Sequence, residues 1–259
     1  MSYIHPTVLN TVNSYKTFLE HNINDLINLN LHTANWNLSC TSEYKLFSII
    51  NENVRMDLNY LLVLNPEYDM LGFPALKRNL RISIEAYYDL FNLTTDRTYL
   101  DLLRYQSVKN TTIENAIINI YKPFLNRKNF NINKRPLTIS EKANIAKDKN
   151  HLRLDIYNHF KDIATSSNSY IHPDIFVTDN CDRETLLKSL LLCNCQLLMY
   201  AFDLLNNFVK HQSAPYISAI NPYAEYNKLY NYIMSVDVGV KSPYSTLKIL
   251  HKHTIFLPL

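Results

Sequence analysis

Apolar residues along this chain recur mostly every three to four positions, which is the spacing of one face of an α-helix. The clearest stripe consists of Leu76, Leu80, Ile84, Tyr87 and Phe91. The pattern predicts an all-α, multi-helix bundle. In chain order the helices are expected over residues 7–29, 43–63, 75–93, 98–107, 113–125, 140–164 with one break, 183–210 and 223–235.

Several helix ends carry capping or stop signals. The hydroxyls of Thr41 and Ser42 precede an acidic residue, which favours a helix start,. Pro74 opens the third helix, and Asp182 is a suitable N-cap for the longest one,. Pro173 ends regular structure, because a residue before proline avoids the helical region,.

The longest helix, over 183–210, is apolar on nearly every face, so we expect it at the centre of the fold or at a subunit interface,. The chain has 259 residues, enough apolar material for one large core,. No repeat and no shift in composition marks a boundary. We therefore expect a single domain over 1–259, with its core in 75–210, N-terminal helices in 7–64 and a C-terminal extension over 215–259.

Composition excludes several classes of function. With 2 glycines, the chain cannot build a dinucleotide-binding turn or a P-loop, because both need glycines at fixed spacing,. The 4 cysteines contain no CxxC pair and are expected to be reduced thiols,. No HExxH motif is present, so we expect neither a metal nor a cofactor,. The most apolar stretch, 186–209, is too polar for a membrane span, and the first residues do not form a signal peptide,. A cytoplasmic location without membrane contact is expected.

The first candidate for chemistry is Arg153, followed six residues later by His159. An arginine can hold a scissile phosphate and a histidine can move a proton, which together suffice for metal-free RNA cleavage. On an unbroken helix, six residues place two side chains about 120° and about 9 Å apart. The two groups can therefore meet only across a helix break or a dimer interface. The alternative is a solvated histidine that pairs with Asp155 and Asp162.

A second candidate site consists of Arg81, Glu85 and His172. Arg81 and Glu85 are four residues apart, so they share a helix face, either as a structural ion pair or as the lining of a cleft,. His172 precedes a proline in a serine-rich turn, where it either projects into a pocket or caps a neighbouring element.

The third candidate is an RNA-binding segment between residues 121 and 140, which contains no acidic residue. Aromatic residues interleave with its basic ones, a combination that can bind phosphates and stack on bases. Solvated surface is the alternative. The basic residues in question are Lys122, Arg127, Lys128, Lys134 and Arg135.

Segments 81–90 and 101–105, with the serine-rich turn 166–173, resemble a family of uncharacterised bacterial helical proteins. Those proteins are similar to the HEPN class, whose active members are dimeric, metal-independent RNases of toxin–antitoxin and phage-defence systems. The HEPN signature is an arginine, four to six residues, and a histidine, and Arg153 and His159 match that spacing. Leu154 departs from the class, which usually has a polar residue after the arginine.

The resemblance implies a HEPN-like endoribonuclease in a defence or toxin system, in which Arg153 holds the phosphate and His159 transfers protons. It also implies a homodimer, RNA as substrate, and an antitoxin or defence protein as partner. The alternative hypothesis is a non-catalytic helical binding or sensor protein. That alternative predicts a complex formed through the apolar helix at 186–209.

Overall fold

The computed structural model describes residues 6–33, 37–63, 72–107, 115–125, 136–166, 183–212 and 222–235. Across these ranges the regular structure is helical and contains no strand, which confirms the predicted all-α bundle. The helices are α1 (Pro6–Thr33), α2 (Ser42–Val63), α3 (Gly72–Thr95), α4 (Thr98–Ser107), α5 (Asn115–Tyr121), α6 (Ile139–Asn144), α7 (Leu154–Ser166), α8 (Arg183–Gln212) and α9 (Pro222–Ser235). Short 3₁₀ turns occupy Leu38–Cys40 and Lys122–Phe124, and one π-helical turn occupies Ile145–Lys149.

The predicted boundaries agree with these helices to within a few residues, and the deviations lie at the ends. The first helix continues four residues past its predicted end, to Thr33. The third begins at Gly72, two residues before Pro74. The predicted cap at Thr41 is present, because its hydroxyl oxygen accepts a hydrogen bond from the backbone N–H of Tyr44 at 3.1 Å,. Asp182 and Pro173 lie outside the described residues.

Helix α8 is the centre of the bundle. Every residue from Leu190 to Phe202 is buried, so this helix packs on all sides against α1, α2, α3 and α9. The sequence predicted this helix either at the centre of the fold or at a subunit interface, and the structure places it at the centre. By length and composition, Leu187–Gln212 could also cross a membrane, but 83% of its most apolar window is buried inside the protein. Protein side chains thus cover the surface that lipid would otherwise contact.

A second, smaller core lies under α4 and α5. Tyr99 and Tyr121 are fully buried there and meet edge to face, with ring centroids 5.9 Å apart. Ile145 adds an apolar contact from the π-helical turn. Helix α6 starts with a capping box, in which Thr138 and Glu141 satisfy each other's backbone N–H groups,. This small core fixes the segment that leads into α7.

Candidate functional site

A buried lysine joins α6 to α3. The Lys142 ammonium lies 2.6 Å from a carboxylate oxygen of Asp89 and 2.8 Å from one of Glu85. The Tyr99 hydroxyl donates to the other Asp89 oxygen at 2.6 Å. Burial alone would lower the pKa of Lys142, but the two carboxylates outweigh burial and raise that pKa above its ordinary value,. The lysine therefore stays charged and closes the contact between the two helices.

A second ion pair lies just after the C-terminal end of α3. Lys149, at the end of the π-helical turn, pairs with Asp96, which also accepts hydrogen bonds from the Tyr121 hydroxyl and the Thr98 backbone. Burial alone would raise the pKa of Asp96, but the hydrogen bonds from Lys149, Tyr121 and Thr98 lower it,. The last turns of α3 and Asp96, which directly follows the helix, are thereby tied to the chain that precedes α7.

This framework determines where Arg153 lies. The Asn150 side-chain amide donates to the Asn92 side chain at 2.9 Å, which anchors the end of the π-helical turn. His151 follows with φ at 59°, in the left-handed region that few residues other than glycine adopt,. The Leu152 backbone N–H then donates a hydrogen bond to the Ala146 carbonyl oxygen. Helix α7 begins two residues later, at Leu154. The reversal at His151 thus sets Arg153 at the N-terminus of α7.

Arg153 is held by a neighbour but is open to solvent. Its guanidinium donates two hydrogen bonds to the Asp155 carboxylate, at 3.2 and 2.5 Å, while 64% of its side chain is exposed. Burial alone would raise the pKa of Asp155, but Arg153 and the backbone N–H groups of the first helical turn lower it,. The N-terminus of α7 therefore presents an exposed guanidinium beside an ionised carboxylate.

His159 lies one to two turns further along α7 and faces inward. Its ring packs against Phe160, with centroids 5.5 Å apart, and its Nε2 atom has no contact with solvent. Burial lowers the pKa of His159, while contact with the Gln196 side chain and the charges of Asp162 and Asp155 oppose that effect,. The imidazole is therefore neutral near pH 7. This geometry corrects the alternative of a solvated histidine, although both predicted acidic residues do act on it.

The side chains that surround this region come from α8 and α9. Gln196 contacts both His159 and the hydroxyl of Tyr200, and the pKa of Tyr200 is raised by burial although Gln196 and Arg153 oppose it. Tyr223, at the start of α9, donates a hydrogen bond to Asp203 at 2.7 Å. Its ring meets that of Tyr200 edge to face, 6.0 Å between centroids. We call these residues, with Arg153 and His159, the Tyr200 cluster.

The Tyr200 cluster brings together the arginine and the histidine that the spacing singled out. Arg153 acts electrostatically on the Tyr200 hydroxyl, and His159 connects to the same tyrosine through Gln196. Arg153 directly precedes α7, and its carbonyl oxygen accepts the helical hydrogen bond from the Tyr157 backbone N–H at 3.0 Å. The segment from Arg153 to His159 therefore contains no helix break, and a shared phosphate would require the other route that the sequence left open, a dimer interface. Chemically, the exposed guanidinium can bind an anion, whereas the covered Nε2 of His159 cannot reach one in this conformation.

Of the second candidate site, the structure describes Arg81 and Glu85. Glu85 pairs with Lys142, so its partner comes from α6, which neither interpretation of Arg81 and Glu85 had included. Arg81 lies half-buried one turn before it on α3. His172 lies outside the described residues, so whether it joins this pair stays a prediction.

Of the predicted RNA-binding segment, the structure places Lys122, whose side chain is exposed in the 3₁₀ turn after α5. The other four basic residues lie outside the described ranges: Arg127, Lys128, Lys134 and Arg135. Their role as an RNA-binding surface stays a prediction.

The cysteines and acids add no further centre within the residues that the structure places. Cys193 and Cys195 are buried free thiols, and Cys40 is an exposed free thiol. Burial raises the pKa of Cys193 to about 12, so it is not a nucleophile,. No group of three or more metal-ligating side chains occurs in the described part of the chain. No family model, curated protein or solved structure matches this chain.

Sequence reasoning missed Lys142, Gln196, Tyr200 and Tyr223. From sequence alone, a single lysine in an amphipathic helix is predicted to be solvent-exposed, because the carboxylates that face Lys142 come from another helix. Gln196 and Tyr200 lie four residues apart on the apolar helix, which was the only signal that they share a face,. Their neighbours on α7 and α9 depend on how the helices pack, which periodicity does not encode.

Proposed function

We propose that this chain is a non-catalytic helical binding protein that holds a phosphate group of RNA at the N-terminus of α7. One observation carries the proposal: Arg153 offers an exposed guanidinium while the Nε2 atom of His159 is covered by protein. A guanidinium matches the geometry of a phosphate, and the N-terminus of a helix attracts anions. A histidine that transfers protons has to touch its substrate.

Asp155 controls this site in the proposal. Its carboxylate occupies the guanidinium in the structure, so a phosphate has to take that place. The negative charge of Asp155 therefore opposes binding. RNA is the ligand that the HEPN resemblance implies, and the exposed Lys122 is consistent with it. A cytoplasmic location and a role in a toxin or defence system belong to the same proposal.

A metal-independent endoribonuclease is the second candidate. The observation that favours it is the Tyr200 cluster, in which Arg153 acts on the Tyr200 hydroxyl and His159 contacts Gln196, which contacts the same hydroxyl. That function needs a rearrangement that exposes Nε2 of His159, either within the chain or on pairing with a second copy.

Binding is tested by fluorescence anisotropy with a single-stranded RNA oligonucleotide in EDTA. We expect Arg153→Ala to weaken binding roughly tenfold, which is the cost of one charged hydrogen-bonded contact. We expect Asp155→Asn to tighten binding. The matched controls are Arg104→Ala and Asp101→Asn, since those residues form an exposed ion pair on α4. Equal affinity for all five proteins, or no binding, would contradict the proposal.

The same samples separate the two candidates when the RNA is analysed on a denaturing gel. The proposal predicts intact RNA after incubation with the unchanged chain. Cleavage that both His159→Ala and His159→Gln abolish, with unchanged circular dichroism, would replace the binding proposal by the ribonuclease.

A further inference from the structure

The turn that leads into α7 exposes a second polar side chain beside the arginine. Burial alternates along residues 150–153, where Asn150 and Leu152 are buried, whereas His151 and Arg153 are exposed. The two exposed side chains therefore leave the turn on its solvent side. Two residues span at most about 7 Å of chain, so the imidazole and the guanidinium begin close together.

The imidazole of His151 is available to a ligand. Within the described residues, the structure records neither a hydrogen bond nor an ion pair for this side chain. The neighbouring guanidinium of Arg153 is held by Asp155. His159, the histidine that the motif spacing singled out, is covered at its Nε2 atom. Of these two histidines, His151 is therefore the one that offers a solvent-facing imidazole beside the arginine.

The backbone at His151 could be formed more easily by another residue. Its φ of 59° lies in the left-handed region, and no other non-glycine residue of the described ranges has a positive φ. Glycine and asparagine are the usual residues in this conformation, because a β-carbon there crowds the following carbonyl oxygen. The hydrogen bond from Leu152 to Ala146 closes the preceding helical turn, as a left-handed residue at a helix end normally allows,. Conformation alone thus does not account for an imidazole at this position.

We propose that His151 is a second ligand of the phosphate that Arg153 binds. This role rests on the proposed function and names the residue that completes its phosphate contact. A ring N–H of an imidazole donates a hydrogen bond in both the neutral and the charged form, so it can bind a phosphate oxygen that the guanidinium leaves free. The spacing that singled out Arg153 and His159 does not include this residue, because His151 precedes the arginine.

The contact is tested by the affinity of the full chain for the single-stranded RNA oligonucleotide. His151→Asn removes the imidazole but keeps a residue suited to the left-handed conformation. We expect it to weaken binding about threefold to tenfold, the cost of one hydrogen bond, with an unchanged circular dichroism spectrum. His151→Gly should have the same effect. His211→Asn, which removes an exposed imidazole near the end of α8, should bind RNA as the unchanged chain does.

A double variant shows whether His151 and Arg153 contact the same phosphate. Two contacts with one group are coupled, so His151→Asn should cost less affinity in the Arg153→Ala chain than in the unchanged chain. Equal losses in the two chains would mean that His151 contacts another part of the RNA, and would overturn the shared phosphate.

The ring signals of His151 in an NMR spectrum give a second measurement. They are assigned with His151→Asn and should move when RNA is added. Unchanged affinity in both His151 variants, or ring signals that do not move, overturns the inference. A loss of affinity in Arg153→Ala then leaves the proposed function standing, whereas an unchanged chain that binds no RNA overturns both.

Discussion

Two polar regions of this protein differ in how completely their charges are paired. In the α3–α6 region, Lys142 lies between two carboxylates, and Lys149 pairs with Asp96 about two turns further on,. In the Tyr200 cluster, Arg153 stays mostly exposed and His159 is neutral. Buried charges that are fully paired hold helices together, whereas an exposed charge with one displaceable partner can accept a ligand. The contrast supports a structural role for the first region and the proposed binding role for the second.

The two regions are also connected in sequence and in space. The α3–α6 region ends at Asn150, and the left-handed turn at His151 leads directly to Arg153. Loss of the ion pairs in the α3–α6 region should therefore disturb the Tyr200 cluster. Loss of Arg153 should leave those ion pairs intact.

The largest effect is expected from Lys142→Met, which leaves the carboxylates of Glu85 and Asp89 without their cation. Breaking a buried pair in this way costs about 3–5 kcal/mol in the free energy of unfolding. Urea denaturation measures it. Lys147→Met is the control, because that lysine pairs with Asp148 at the surface and its loss should leave the midpoint unchanged,. Similar midpoints for both variants would show that the network is not structural.

A smaller effect is expected at Asp57, a buried carboxylate between α2 and α3 that is not fully paired. One of its oxygens accepts a hydrogen bond from Asn79 at 3.0 Å, and the other is buried without a hydrogen-bond partner. Burial raises the pKa of Asp57 to about 6, although Asn79 opposes that rise. The chain should therefore lose stability as the pH rises from about 4 to about 6, because the unfolded chain releases this proton first.

Replacing Asp57 by a neutral amide tests this directly. Asp57→Asn should raise the free energy of unfolding by about 2 kcal/mol at pH 7.5, and the gain should vanish near pH 4. Asp101→Asn, at an exposed carboxylate on α4, should show no such dependence. A destabilised Asp57→Asn chain at pH 7.5 would mean that the ionised carboxylate has a favourable role.

Much of the fold could be predicted from sequence, because helix faces and caps are local. The stripe on α3 and the cap at Thr41 depend only on residues within a few positions of each other. The site could be predicted only in part. The spacing of Arg153 and His159 identified the two residues, but the structure shows no helix break between them, because α7 is continuous from Leu154 and Arg153 accepts its helical hydrogen bond from Tyr157.

What the sequence could not show is which way each side chain faces after the helices pack. The sequence did not show that the Nε2 atom of His159 is covered beside Gln196 of α8. The ion pair that Glu85 forms with Lys142, from a helix more than fifty residues away, was also not foreseen. Such contacts depend on tertiary packing, which neither hydrophobic period nor motif spacing contains.

The most direct test of the central claim is an NMR titration of the histidine side chains, with His159→Gln to assign the resonance and RNA added at saturation. If the chain binds without cleaving, His159 should titrate below its ordinary value near 6.5, since burial disfavours the imidazolium,. Its shift should stay unchanged by RNA, while the Arg153 guanidinium resonance moves. A pKa for His159 at or above 6.5, or a large shift of its ring on addition of RNA, would contradict this account and restore a catalytic imidazole.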